Sequence, residues 1–158
     1  MYKILIITGE PSGDNLGSKL IKEMKNQFQE NIDLNKSHQK KIVFQGIGGI
    51  KMKNEGFTCL YQIEDLSIMG IFEVLGNIPK IYSMIRSIKN YANAWKPDLI
   101  ITIDSPDFCF RLVKKIRKID SYVPIIHYVA PSVWAWRPKR AKKMSLLYDK
   151  VLAILPFE

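Results

Sequence analysis

Two carboxylates lie three positions apart in the stretch "LIITIDSPDF", which covers residues 99–108. Asp104 directly follows an apolar, β-rich run, so it stands at a predicted strand end that is partly removed from water and open to a hydroxyl nucleophile. Ser105, Pro106 and Asp107 match the N-cap and the first two positions of a helix, and the helix dipole is sufficient to explain Asp107. The sequence therefore predicts Asp104 as a general base, with bonding to loop amides as the alternative.

A loop bounded by glycines, "GEPSGD" at residues 9–14, follows the first apolar run. Its backbone N–H groups suit phosphate or sugar oxygens, and Ser12 is predicted to cap the following helix. The substrate-binding residues predicted here are Gly9, Glu10, Ser12, Gly13 and Asp14. The loop lacks the GxGxxG fingerprint and its two acids repel a pyrophosphate, which disfavours an oxidoreductase with a nucleotide cofactor. The alternative is a tight turn in which Asp14 only complements the helix dipole.

Two further loops complete the predicted binding set. "GIGG" at residues 46–49 contributes Gly48 and Gly49, unless it is only a turn that needs positive φ. "APSVWAWRPKR" at residues 130–140 contributes three cations that suit anionic groups of a substrate, namely Arg137, Lys139 and Arg140.

Histidine and cysteine are too sparse to suggest a metal centre. His127 lies inside an apolar strand, so it is interpreted as a core residue in preference to a catalyst. Cys59 and Cys109 lie in apolar segments without the spacing of metal ligands, which predicts buried free thiols and no metal.

Basic residues are concentrated in one part of the chain. The sequence holds 24 lysines and arginines against 15 aspartates and glutamates, a net charge of +9. Residues 111–143 hold ten of these cations and one acid, Asp120, and so account for the whole excess. An anionic partner is expected, either a phosphorylated substrate, an acidic membrane surface or nucleic acid; the alternative is solvated helix faces. Nucleic acid is disfavoured because no recognised RNA- or DNA-binding motif accompanies the charge.

Predicted strands and helices alternate along the chain. Continuous apolar runs predict strands at residues 2–8, 41–46, 59–61, 99–103, 123–129 and 150–155. Apolar residues at helical spacing predict helices at residues 16–28, after residue 49, and at 81–95, 108–119 and 138–148, with an exposed loop at 29–41. This alternation predicts one Rossmann-like α/β domain over residues 1–158, with a doubly wound, mostly parallel sheet. Ligands bind beyond the carboxyl ends of such strands, so the candidate residues should line one cleft.

One segment carries more apolar residues than a single helix face can bury. The membrane-contact residues predicted from it are Ile71, Phe72, Val74, Leu75, Ile78, Ile81 and Tyr82. Packing against a partner domain is the alternative explanation. No apolar run approaches the roughly 18–20 residues that span a bilayer, and no secretory signal is recognisable, so a soluble, unsecreted chain is expected.

Six motifs, in this order and spacing, resemble the lipid-A-disaccharide synthase family of Gram-negative bacteria. They are "GEPSGD", "GIGG", "MGIFEVLG", "IDSPDF", "HYVAPSVWAWRPKR" and "LPFE". The resemblance covers nearly the whole chain. It implies the amino-terminal half of an inverting GT-B glycosyltransferase of lipid A biosynthesis, with no cofactor and no metal, peripheral on the cytoplasmic face of the inner membrane. The chain departs from the family at Cys109, where relatives often carry asparagine.

The resemblance also implies substrates. Members of the family transfer 2,3-diacylglucosamine from a UDP donor to 2,3-diacylglucosamine 1-phosphate (lipid X), which releases UDP and forms a β(1→6) disaccharide. Asp104 matches the aspartate thought to activate the acceptor hydroxyl, and residues 71–82 match a region implicated in membrane association. The sequence ends at "LPFE", so the UDP-binding domain is expected to be absent and the chain alone to be inactive. The competing class is a non-catalytic module that binds acidic membranes.

Overall fold

The protein is represented by a computed structural model that describes residues 1–35, 41–64, 78–129 and 144–153. Within these residues the strands form one parallel sheet, whose order is β3-β2-β1-β4-β5-β6. The strands are β1 (Tyr2–Thr8), β2 (Ile42–Gly48), β3 (Thr58–Gln62), β4 (Leu99–Ile103), β5 (Ile125–Tyr128) and β6 (Lys150–Leu152). The order and the parallel pairing confirm the predicted Rossmann-like α/β fold.

Helices cover both faces of the sheet. They are α1 (Pro11–Asn35), α2 (Ile50–Asn54), α3 (Ile78–Trp95) and α4 (Pro106–Arg117), and residues 144–147 are also helical. Side chains alternate along β1, so Ile6 packs with Met52 of α2 on one face while Leu5 packs with Leu112 of α4 on the other. Among the described helices, none is both long enough and apolar enough to cross a membrane.

The carboxyl ends of α1 and β2 lie beyond their predicted positions. The predicted loop at residues 29–41 is wrong for residues 29–35, because α1 continues through Asn35; polarity without apolar periodicity is compatible with a solvated helix end as well as with a loop. β2 ends at Gly48, two residues later than predicted. Gly46 was interpreted as the strand end, yet it lies within β2 at a φ of 142°, where a β-carbon would lie 2.0 Å from the carbonyl oxygen of Ile6.

The last predicted elements are described only in part. Of the predicted helix at 138–148, residues 144–147 are helical, and residues 138–143 lie outside the described residues. The predicted strand at 150–155 is observed as Lys150–Leu152, and its last two residues also lie outside them.

The order of the strands reverses between β1 and β4. The chain leaves β1 toward β2 and β3 on one side, then returns to β4 on the opposite side of β1. Thr8 of β1 pairs with Ile103 of β4, so Gly9 and Asp104 begin side by side at the carboxyl edge of the sheet. Ligand crevices form at such reversal points, and the topology therefore brings the candidate loop and the candidate acid together.

Arg117, one of the ten clustered cations, is committed to internal contacts. Its guanidinium donates hydrogen bonds to the carbonyl oxygens of Leu147 at 2.9 Å, Ser121 at 3.0 Å and Val123 at 2.8 Å. It also donates to Asp149 at 2.7 Å. Arg117 therefore ties the end of α4 to the helical turn before β6, and it is not available to an anionic partner.

Replacing Arg117 with alanine should lower the free energy of unfolding by about 1–3 kcal/mol, because three carbonyl oxygens lose a charged donor. The ion pair itself adds little, since Asp149 is 56% exposed. Urea unfolding followed by circular dichroism measures the change. Arg117→Lys is the matched control: it keeps the charge without the planar fork, and should be destabilised almost as much. A lysine variant as stable as the parent would show that charge alone matters.

Candidate active site

Asp104 and Ser105 form a left-handed turn where β4 ends. Their φ angles are 55° and 42°, in a region that costs a residue other than glycine about 1–2 kcal/mol. Ser105 is restricted further because Pro106 follows it. Ser105 is the N-cap of α4 and Pro106 begins the helix, as predicted, but the Ser105 side chain makes no capping hydrogen bond. The turn persists at a free-energy cost, which requires support from surrounding contacts.

The Asp104 carboxylate accepts two hydrogen bonds. The Ser12 hydroxyl donates to Oδ2 at 3.1 Å, and the Ser105 backbone N–H donates to Oδ1 at 2.8 Å. An ionised carboxylate offers about four acceptor positions, so these two bonds leave capacity for a proton from a substrate. The Asp104 backbone N–H donates to the Tyr128 carbonyl of β5 at 3.1 Å. The hydrogen bonds to the carboxylate fix its position. Asp104 is only half-buried, so the carboxylate is still reachable from solvent.

The turn formed by Asp104 and Ser105 is called the acid turn below. The loop after β1 contacts it directly. α1 begins at Pro11, so Ser12 lies in the first turn of the helix and the predicted N-cap role of Ser12 is wrong. Glu10 is half-buried and accepts a hydrogen bond from the Ser105 hydroxyl at 3.1 Å. A β-carbon on Gly9 would lie 2.2 Å from Ser105 Oγ, so glycine is what permits this close approach. Gly13 is buried in the same first turn of α1.

Asp14 is 6% exposed and holds the neighbouring glycine loop. Its carboxylate accepts hydrogen bonds from the backbone N–H groups of Gly49 at 2.9 Å, Lys51 at 3.1 Å and Met52 at 3.0 Å. Gly49 is the N-cap of α2 and has no side chain with which to cap it, so Asp14 supplies the cap from α1. Substrate binding by Asp14 and Gly49 stays a prediction beside this structural role.

Gly48, the other predicted residue of this loop, is buried at the end of β2. Its carbonyl oxygen accepts a hydrogen bond from the Cys59 thiol at 3.0 Å. Cys59 is free but only half-buried, so the prediction of a buried thiol is too strong at this position.

A buried histidine lies close to Asp104 within the sheet. His127 Nδ1 is 2.7 Å from the Thr102 hydroxyl, and its ring packs against Tyr148 with centroids 5.0 Å apart. Burial lowers the pKa of His127 to about 4, while the Asp104 charge acts in the opposite sense. The ring is therefore neutral at pH 7 and fully buried, which fits the predicted core role.

Cys109 forms a hydrogen bond to the backbone of the acid turn. The residue is buried in the first turn of α4, and its thiol donates to the Asp104 carbonyl oxygen at 3.3 Å. Burial raises the pKa of the Cys109 thiol, so it stays protonated and remains a donor. A hydrogen-bond donor is thus retained where the resemblance leads one to expect asparagine. Across the described ranges, no group of three or more His, Cys, Asp and Glu side chains is placed to hold a metal ion.

Several predicted residues lie outside the described residues. They are Arg137, Lys139, Arg140, Ile71, Phe72, Val74 and Leu75. Ile78 begins α3, but its side chain is not described. Ile81 packs against the core, whereas Tyr82 is 49% exposed.

A solvent-reachable acid beside a glycine loop, at the reversal point of a parallel sheet, defines the class: a Rossmann-like α/β protein whose candidate site lies where ligands of such sheets bind. The family model described as lipid-A-disaccharide synthetase matches residues 4–158. The chain belongs to the lipid-A-disaccharide synthase family.

Individual relatives agree with the family match. The lipid-A-disaccharide synthase of Aliivibrio salmonicida is 43% identical over 156 residues, which cover 99% of this chain and 37% of the relative. That of Rhodopseudomonas palustris strain BisB18 is 42% identical with the same coverage, and that of Rhodospirillum centenum is 38% identical over 98% of this chain and 36% of the relative. The chain thus spans little more than a third of the length of these relatives.

A solved structure resembles the fold. The UDP-GlcNAc 2-epimerase from Neisseria meningitidis, bound to UDP-GlcNAc, superposes with a TM-score of 0.54 over 96% of this chain and 39% of the epimerase chain. The two sequences are 15% identical, so the similarity concerns the fold alone.

Proposed function

We propose that this chain is the amino-terminal, acceptor-binding domain of a lipid-A-disaccharide synthase, an inverting glycosyltransferase of GT-B architecture. The acceptor is lipid X, and the donor is UDP-2,3-diacylglucosamine, bound mainly by a second domain in the part of the relatives that this chain does not span. The observation that carries the proposal is Asp104, which lies in a family motif, half-buried, beside the glycine loop at the reversal point of the sheet.

In the proposed reaction the Asp104 carboxylate acts as the general base. The 6-hydroxyl oxygen of the acceptor attacks the anomeric carbon of the donor from the face opposite UDP, and its proton passes to Asp104. The new O6–C1 bond forms as the bond from C1 to the UDP oxygen breaks, and UDP leaves with that electron pair. A single displacement inverts the anomeric carbon and gives the β(1→6) disaccharide.

We also propose that the domain lies on the cytoplasmic face of the inner membrane. Exposed Tyr82 on α3 supports this, because Lys80 and Arg86 are exposed close to it on the same helix. An aromatic side chain flanked by cations suits the interface of an anionic bilayer. In this proposal, residues 71–78 extend the apolar side of the contact, and Arg137, Lys139 and Arg140 bind phosphate groups.

Disaccharide synthesis should require both parts of the enzyme. We expect the chain alone, given lipid X and UDP-2,3-diacylglucosamine, to form no disaccharide, because the donor site lies elsewhere. Joined to the remaining length of a relative such as the Aliivibrio salmonicida enzyme, it should release UDP and disaccharide in equal amounts, measured by mass spectrometry. A folded, joined protein that binds both substrates and yields no disaccharide would contradict the proposal.

Hydrogen exchange in the presence of vesicles separates this function from a membrane-binding module. Anionic vesicles containing lipid X should protect the 9–14 loop and the turn at 104–105 from hydrogen exchange, and the protection should saturate. Equal protection by vesicles with and without lipid X would favour the module.

A further inference from the structure

The turn at Asp104 and Ser105 needs external support. Two consecutive residues other than glycine adopt left-handed φ angles, 55° and 42°, and the second precedes a proline. Neither arrangement is favourable for the isolated chain. The contacts that hold the turn therefore also decide where the Asp104 carboxylate points.

Two side-chain hydrogen bonds link this turn to the loop after β1, and they run in opposite directions. Ser12 donates from the loop to Asp104 Oδ2 at 3.1 Å. Ser105 donates from the turn to Glu10 Oε1 at 3.1 Å. Gly9 lets the two segments touch, because any β-carbon there would clash with Ser105. Two side-chain hydrogen bonds thereby connect the loop after β1 to the turn that carries the carboxylate.

We propose that Ser12 is a positioning residue for the reaction, orienting the Asp104 carboxylate, and that Glu10 holds the turn through Ser105. This inference rests on the proposed function. The sequence suggested that Ser12 and Glu10 bind sugar or phosphate groups, but their hydrogen bonds are made to the acid turn. Ser12 occupies one acceptor position of Oδ2, so the remaining positions are fixed in direction for the acceptor hydroxyl.

An effect of Ser12 on the rate can be separated from an effect on folding. Ser12 is exposed and its hydrogen bond to Asp104 is solvent-accessible, so its loss should leave the thermal unfolding midpoint almost unchanged. A general base, by contrast, is sensitive to displacement on the order of 1 Å, which lowers rates by up to about 100-fold. Ser12 should therefore matter to turnover far more than to stability.

The test uses the chain joined to the remaining length of a relative. Ser12→Ala should lower kcat by about 10- to 100-fold and change KM for lipid X by less than about 3-fold. Ser12→Thr keeps the hydroxyl and should recover kcat to within about 3-fold of the parent. In an Asp104→Ala background, adding Ser12→Ala should lower the residual rate no further, because Ser12 acts through Asp104.

The outcomes distinguish this inference from the proposed function. A normal kcat in Ser12→Ala, combined with a large loss in Asp104→Ala, overturns the positioning role and leaves the base in place. A raised KM with unchanged kcat also overturns it, since Ser12 would then bind the substrate directly. Full activity in Asp104→Ala removes the base itself, and with it the proposed mechanism.

Discussion

If Asp104 is the proposed general base, replacing it with asparagine should lower the turnover number for disaccharide formation by about 100- to 10,000-fold, the range that positioned general bases contribute. Asparagine has nearly the shape of aspartate and its single amide oxygen can still accept a hydrogen bond from either Ser12 or Ser105, but it cannot take the proton of the acceptor hydroxyl. The effect should fall on kcat, with KM for lipid X almost unchanged. Steady-state assays with varied lipid X, on the chain joined to the remaining length of a relative, measure both constants.

Asp107 provides the matched control for this prediction. It is an exposed carboxylate in the first turn of α4, three residues from Asp104. Asp107→Asn removes the same charge from the same motif and should leave kcat within about 3-fold of the parent, because the charge serves mainly the helix dipole. Similar losses in both variants would show that local negative charge, rather than proton transfer at Asp104, supports the reaction.

Replacing Asp14 with alanine should lower the free energy of unfolding by about 2–4 kcal/mol. Three backbone N–H groups at the start of α2 lose their acceptor, and Asp14 is nearly inaccessible to water that could replace it. Urea unfolding of the chain, followed by circular dichroism, gives the value.

Asp14→Asn is the graded control. Both Gly49 and Met52 donate to the same oxygen, Oδ1, and the amide oxygen of asparagine can replace it. Only the Lys51 N–H then lacks an acceptor, so the asparagine variant should lose less than half as much stability as the alanine variant. Equal stability of the parent and the alanine variant would mean that water satisfies these N–H groups, contrary to the cap described above.

The sequence was sufficient for the sheet because its strands are continuous apolar runs. Residues 2–8 and 99–103 were predicted with the observed bounds, since most of their side chains are apolar and buried in a sheet that helices cover on both faces. Gly46 misled the prediction of β2, because a glycine inside a strand resembles a turn until the nearby carbonyl of Ile6 is known. The end of α1 was missed for a different reason: a solvated helix end lacks apolar spacing.

The candidate site was predicted in outline and not in detail. Asp104 could be found because it ends an apolar strand, and strand ends of a parallel sheet share one edge. The hydrogen bonds between the residues at that edge could not be predicted. Ser12 and Glu10 lie 92 and 95 residues from the side chains that they contact, and the contacts depend on the pairing of Thr8 with Ile103. Asp14 was predicted to bind substrate, and no local pattern indicated that its carboxylate reaches 35 residues onward to Gly49.

The hydrogen bond from the Asp104 N–H to the Tyr128 carbonyl has a consequence for biosynthesis. A ribosome releases the 9–14 loop early, but the acid turn gains its last backbone anchor only when β5 has emerged and paired with β4. A nascent polypeptide that includes Asp104 but not β5 therefore carries the loop and the acid turn without this hydrogen bond. The backbone contacts of the acid turn are therefore completed only after β5 is synthesised, more than a hundred codons after the 9–14 loop.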